Sequence, residues 1–299
     1  AYNFAGELFM SDVMHGPAVF TEGRRKRKTY LVAFIDDASR IIPYAEFKFS
    51  EKTKDFMAVF KQAIMRRGIP KRLFVDNGSA FRSRHLHIVC ARLGVTLIHA
   101  QAYHAAAKGK IERWFRTVRQ QFLPMLTERH TASLLDLNQA LWHYVEAEYH
   151  YDHHRILGES PLNRWARCSE RVRYPEPGLD LDEIFLAEET RTVHKDRTIS
   201  LHGTVYEADA ALTGETVTIR FDPATPIRVL QVWFKNQRYA DAEPVDTYAN
   251  CFVKRDRPSD SLVIKESAEK TSPSAPSDRS AIRKKSMKLS RISCRGENK

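Results

Sequence analysis

Cysteine is scarce in this 299-residue chain, and the four present (Cys90, Cys168, Cys251, Cys294) stand far apart with no CxxC pair. That excludes a disulfide framework, leaves a zinc ribbon without ligands, and makes a reducing cytoplasm the expected compartment. Long apolar runs are missing too. Stretches such as Tyr30 to Ile35 fall far short of the ~20 residues that span a bilayer, so no membrane association is expected. Glycine, at 12 residues, is too rare for a collagenous repeat. No signal-peptide pattern opens the chain. An initiating methionine is also lacking: the chain begins Ala1-Tyr2-Asn3, and the expectation is a segment preceding it.

What is present is a globular composition, 42% apolar and 28% charged, long enough for one large domain plus a smaller one. The 48 bases against 37 acids give a net charge of +11, which points to a polyanionic partner. Between Lys265 and Lys299 ten bases face four acids, so the tail carries +6 of that excess and the body is only moderately basic.

Strand and helix signals alternate through the first half. Leu8-Phe9-Met10 leads into Ser11-Asp12; a loop with five consecutive bases, Arg24 to Lys28, precedes the continuous apolar run Tyr30 to Ile35, which has buried-strand length. After the turn Asp37 to Arg40, Ile41 to Phe47 returns as a hairpin-paired third strand. Phe56, Phe60, Ala63 and Ile64 recur at helical spacing up to Gly68 and Pro70. A short strand at Arg72 to Val75, a helix from Arg84 to Leu93, a strand at Val95 to Ile98, a long helix from Lys110 to Leu123 and a helix from Ser133 to Tyr151 complete the series. The spacing predicts an α/β sheet whose first three strands form a meander and whose later strands are joined through helices.

The organisation that follows is an α/β unit over 1–167, a linker over 168–182 containing Pro175 and Pro177, and a small all-β barrel over 183–254 built of short strands between turn signals. A Ser-, Pro-, Lys- and Arg-rich tail over 255–299 is read as disordered, for want of large apolar residues.

Three acids stand where strands or helices present them: Asp12 after strand one, Asp76 at the end of strand four, and Glu112 in the first turn of the long helix. Carboxylates brought together need a cation between them, and hard divalent ions need such an oxygen cage. Each also has a plain structural reading. Asp76-Asn77-Gly78 makes an ordinary turn, an early helical Glu complements the dipole, and Asp12 can simply end a strand. Asp36 and Asp37, in the turn after strand two, compete with Asp12 for the first position.

The combination is more specific, because 35 residues separate Asp76 from Glu112. Phe74 to Phe81 and Lys108-Gly109-Lys110-Ile111-Glu112-Arg113, with Leu8 to Asp12, Phe34 to Arg40 and Ser160-Pro161-Leu162, resemble the DDE transposases and retroviral-type integrases over residues 1–165. Thr198 to Glu207 resembles the C-terminal domain of phage-Mu-type transposases. The stretch Tyr103 to Ala107 departs from the family in lacking a proline, and such transposases usually begin with helix-turn-helix segments, which the sequence starting at Ala1 does not include.

The resemblance implies a ribonuclease-H-like mixed sheet flanked by helices. It also implies two Mg²⁺ (or Mn²⁺) held by Asp12, Asp76 and Glu112, cleavage of transposon ends, and strand transfer into target DNA by a homo-oligomer in the cytoplasm, at the nucleoid. A ribonuclease-H-like nuclease that never joins, or a truncated noncatalytic DNA-binding relic, are the rivals. On the long helix, Ile111, Phe115, Val118 and Phe122 form the apolar stripe. Lys108, Lys110, Arg113, Arg116 and Arg119 are expected to touch DNA phosphates, the alternative being a solvated face with an i,i+4 Glu-Arg pair. His150, His153 and His154 have no finger spacing and are expected at the surface; Trp114, Trp142 and Trp165 are assigned to packing.

Overall fold

The computed structural model describes residues 2–21, 25–100 and 108–245. Arg24, the Tyr103 to Ala107 stretch and the 255–299 tail lie outside the described residues.

The run Tyr30 to Ile35 is buried on both faces because helices cover both. It belongs to β2 (Lys26–Asp36), which sits between β1 (Leu8–Phe20) and β3 (Ala45–Lys48) in antiparallel pairing. Strands β4 (Arg72–Val75) and β5 (Thr96–His99) run parallel to β1. The sheet order is therefore β3-β2-β1-β4-β5, the ribonuclease-H-like mixed sheet that the motifs imply. Side chains alternate across it. Val32 and Phe34 join a core with α1 (Thr53–Arg67) and α2 (Arg84–Arg92), while Leu31, Ala33 and Ile35 join a second core with α3 (Gly109–Thr117) and α4 (Leu134–His143).

Strand β1 is longer than its apolar start suggests. It crosses a register shift between His15 and Ala18, a bulge that accommodates Pro17, which has no N–H to give the ladder. Gly16 is required beside it, since a Cβ there would lie 2.5 Å from the Phe47 ring and the Thr29 hydroxyl. The bases Lys26 to Lys28 form the exposed start of β2, with Lys26 over the Phe20 ring and Arg27 over Phe49.

The two long helices are not uniform. After α3 the chain widens into a π-helical turn at Val118–Phe122, then tightens at Leu123–Met125 around Pro124; after α4 a second π turn spans Tyr144–Tyr149. The two wide turns pack on each other, Tyr144 Oη donating to Gln121 Oε1 at 3.0 Å and its ring meeting Phe122. Trp114 and Trp165 are buried as expected, but Trp142 is 53% exposed, because it falls off the Leu137–Leu141 stripe that faces the sheet.

Beyond α5 (Pro161–Cys168), the short α6 (Leu181–Ile184) leads Phe185 into the first core, against Phe60. Arg92 bonds the Ile184 carbonyl at 3.1 Å and pairs with Glu188. The following strands are β6 (Ala187–Thr192), β7 (Thr198–Leu201), β8 (Thr204–Glu207), β9 (Thr216–Phe221), β10 (Gln231–Phe234), β11 (Gln237–Arg238) and β12 (Glu243–Pro244). They make a four-stranded sheet, β11-β10-β9-β6, and a three-stranded one, β12-β8-β7, over a shared core of Ile199, Tyr206, Ile219 and Val232. Among the described residues the strands do not close into a ring. No helix among those residues is long and apolar enough to cross a membrane.

Candidate active site

The register of two parallel strands decides which acids meet. Met10 of β1 pairs with Phe74 of β4, and both pack toward the α3 side of the sheet. Two residues further along each chain stand Asp12 and Asp76. With a side-chain period of two, both carboxylates come out on that same side. Lys108, at the N-terminal cap position of α3, lies between them: its Nζ is 3.3 Å from Asp12 Oδ1 and 3.2 Å from Asp76 Oδ2.

Each carboxylate has few other partners. Asp12 Oδ1 accepts the Val13 N–H at 2.9 Å, and Asp76 Oδ1 accepts the Gly78 N–H at 2.7 Å. Gly78 is needed for that turn, since a Cβ would sit 2.9 Å from the same Asp76 oxygen. The far side of the turn is pinned by Asn77 Nδ2 to the Ala100 carbonyl at 2.6 Å. Burial pushes the Asp12 carboxyl above its ordinary range, Lys108 and the Val13 N–H pull it down, and the Asp76 charge pushes it up again. These are two like charges held together, with an ammonium in the place of a cation. An oxygen-only pair of this kind suits a hard divalent ion.

Glu112 lies in the first turn of α3 and is exposed. Among the described residues no group of three His, Cys, Asp or Glu is gathered closely enough to hold a metal. The structure thus brings Asp12 and Asp76 together and leaves Glu112 on the adjacent helix.

Asp36 and Asp37 are elsewhere and otherwise engaged. Asp36 is fully buried and accepts the N–H groups of Gly6 and Ser39 at 2.9 and 2.8 Å and the Ser39 hydroxyl at 2.7 Å. Asp37 accepts the Tyr2 N–H at 2.8 Å and pairs with Lys110. Lys110 therefore ties α3 to the β2–β3 turn, while Arg113, Arg116 and Arg119 remain exposed.

Two features escaped sequence reasoning. Lys108 looked like one base among several, and nothing in its spacing announced that it spans two carboxylates. His150, expected at the surface, is buried: its Nε2 accepts the Ile42 N–H at 3.0 Å, so the proton sits on Nδ1, 3.1 Å from Glu146 Oε2.

Residues 49–127 match the family described as the TnsB C-terminal domain, and residues 182–240 match the Mu transposase C-terminal family. The transposase for transposon Tn552 from Staphylococcus aureus is 26% identical over 230 residues, covering 70% of this chain and 48% of the relative. The chain thus spans about half the length of that relative. Among solved structures, the HTLV-2 integrase catalytic core in complex with magnesium aligns at 21% identity and a TM-score of 0.42, covering 54% of this chain and 96% of that one. The catalytic core of BIV integrase aligns at 18% identity and a TM-score of 0.43, covering 54% and 95%.

Proposed function

We propose, for a chain that is a relative of the DDE transposases and integrases, that it is the catalytic part of a DNA transposase, a polynucleotidyl transferase that cuts transposon ends and joins them to target DNA. The observation that carries this reading is the pair Asp12 and Asp76, facing one way with a lysine ammonium between them. Asp12, Asp76 and Glu112 are the proposed holders of two Mg²⁺ (or Mn²⁺). When bound, such ions activate a water and then a DNA 3′-hydroxyl toward a phosphodiester and stabilise the leaving oxygen.

The protein's own share is positioning. β1 and the end of β4 hold the two aspartates on one side of the sheet, Gly78 keeps Asp76 turned, and Glu112 stands on the adjacent helix α3. Lys108 offsets one of the pair's two negative charges in the absence of other cations. Arg113, Arg116 and Arg119 contact backbone phosphates, which positions DNA without reading sequence. A homo-oligomer on DNA at the nucleoid is the proposed working form.

The test is a labelled duplex bearing the element's end, incubated with Mg²⁺ or Mn²⁺ and protein with any natural N-terminal segment restored. Wild type is expected to nick and join; Asp76→Asn and Glu112→Gln are expected to bind DNA and do neither. Nicking without joining selects a hydrolytic nuclease, no chemistry in either metal selects a noncatalytic relic, and full activity of Glu112→Gln overturns the triad. Replacing Arg116 and Arg119 together with Ala is expected to reduce the salt slope of DNA binding by nearly two, at about 0.9 of a counterion per phosphate. An unchanged slope returns both to the solvated face.

A further inference from the structure

A second polar site lies on another face of α3. A cavity of about 290 Å³ is bounded by the end of β2, by α3 and by the Tyr149–Ile156 segment. Arg40, Lys110, Arg113, Trp114, Tyr149 and His154 line it, and among the described residues no carboxylate does. Two of these side chains are buried donors without an acceptor: Arg40 Nη1 and Trp114 Nε1. The Trp114 residue is 2% exposed and Arg40 9%.

An unpaired buried donor is costly, and a charged one more so. Here the arrangement is built rather than incidental. Arg40 is held in the left-handed region at φ 66. Its N–H bonds the Asp36 carbonyl at 3.0 Å, and its own carbonyl accepts the Tyr149 hydroxyl at 3.0 Å. The backbone is thus locked at both groups while the guanidinium Nη1 is left unpaired. Burial lowers the pKa of Arg40; Asp37, Tyr149 and Asp36 oppose that shift, and the cationic charge of Arg113 adds a little to it. Burial together with the charges of Arg40 and Arg113 also holds His154 below its ordinary range. Asp37 pairs with Lys110, and its charge and that of Asp36 also act on Arg40; exposed Arg113 adds further positive charge at the rim.

We propose that this cavity binds a phosphate group with free terminal oxygens, Arg40 and Trp114 donating to it from the buried wall and Arg113 adding charge from the exposed side. An internal phosphodiester is flanked by strand on both sides, which keeps its oxygens from donors this deeply buried, whereas a terminal phosphate projects. Two sources share that chemistry: inorganic phosphate and the terminal phosphate of a DNA strand. The cavity is independent of the aspartate pair, and only the DNA source rests on the proposed function.

Calorimetric titration of the full chain with inorganic phosphate, at ionic strength matched with chloride, tests the site. Saturable one-to-one binding is expected. Trp114→Phe removes the donor and keeps most of the ring, and is expected to weaken binding about tenfold. Arg113→Gln, at an exposed position, is expected to weaken it several-fold. Arg40→Gln is expected to lose binding, with the other two variants deciding the matter if it fails to fold. Competition by a 5′-phosphorylated trinucleotide but not by its 5′-hydroxyl twin assigns the source as DNA ends, and phosphate binding without that competition assigns it as the free ion. Absence of saturable binding, or wild-type affinity in both Trp114→Phe and Arg113→Gln, overturns the site.

Discussion

Two pairs of aspartates belong to the same sheet, and the structure treats them differently. Asp36 is enclosed by two backbone N–H groups and a hydroxyl, and Asp37 takes a third N–H and a lysine. Asp12 and Asp76 each take one N–H from a residue one or two positions along and share a single ammonium. A carboxylate whose lone pairs are filled by fixed donors has been committed to holding the fold. One left to a side-chain cation keeps coordination capacity that a ligand can use. Position along the chain, which leaves Asp36 and Asp37 as rivals of Asp12, is a poorer guide than the count of their fixed donors.

The sharpest way to break this contrast is thermal. Asp36→Ala strands three buried donors and is expected to cost about 3 kcal/mol, a fall in Tm on the order of 10 °C. Asp76→Asn removes a like charge beside Asp12 and is expected to move Tm by less than about 2 °C. Calorimetry of the two variants side by side decides it, and equal falls would erase the distinction.

A smaller effect is expected at the bridging lysine. Lys108→Met leaves two carboxylates uncompensated and is expected to cost about 1 kcal/mol at pH 8, discounted because Asp76 is partly solvated. Burial already holds the Asp12 carboxyl above its model-peptide value of 3.8, so the native state takes up its proton before the unfolded chain does. Loss of Lys108 raises that carboxyl further, and the deficit is expected to narrow as pH falls toward 4. A deficit that stays constant from pH 8 to 4 would mean that the lysine acts by packing alone.

The smallest effect distinguishes a third situation, a carboxylate held by a side chain on its own helical turn. The His150 hydrogen bond, reinforced by the charges of Arg67 and Arg66, holds Glu146 below its ordinary 4.5. A depressed carboxyl stabilises the native state above the unfolded value, and that contribution is lost as pH falls through the folded one. Glu146→Gln is therefore expected to cost less than about 1 kcal/mol at pH 7, and nothing once acid has protonated Glu146 in the wild type. Urea titrations from pH 7 to 3 would show the two curves converging; parallel curves would contradict the assignment.

Much of this was legible in the residues. The apolar run of β2, the helix signals around Phe56 to Ile64 and the turn at Asp76-Asn77-Gly78 lead to the right sheet, and the family resemblance of Leu8 to Asp12 points to Asp12, which the structure places beside Asp76. What was not legible depended on contacts distant in sequence. The apolar signal of strand one ends at Asp12, yet the strand continues through a bulge at Gly16-Pro17 to Phe20. The helix signals from Lys110 and from Ser133 show no interruption, yet Gln121 and Tyr144 meet across two π turns that local propensity does not mark. His150 reads as a surface residue because its acceptor role is set by Ile42, 108 positions away. The Trp142 side chain is apolar enough to suggest packing, but its angular position on α4 places it outside the buried stripe.

The pairing of Met10 with Phe74 has a consequence for how such a chain can diverge. A single inserted or deleted residue inside β4 that shifted its register by one position would send Asp76 to the opposite face of the sheet, away from Asp12. The apolar faces of so short a strand are both buried, so the altered chain could still find partners for its leucine and valine. Gene-length variation here would then silence the chemistry before it dismantled the scaffold. Insertions that accumulate harmlessly in the outer loops should be absent from the few codons joining Leu73 to Asp76, and a panel of single-codon insertions would reveal that boundary as active, folded-but-silent and unfolded classes along the gene.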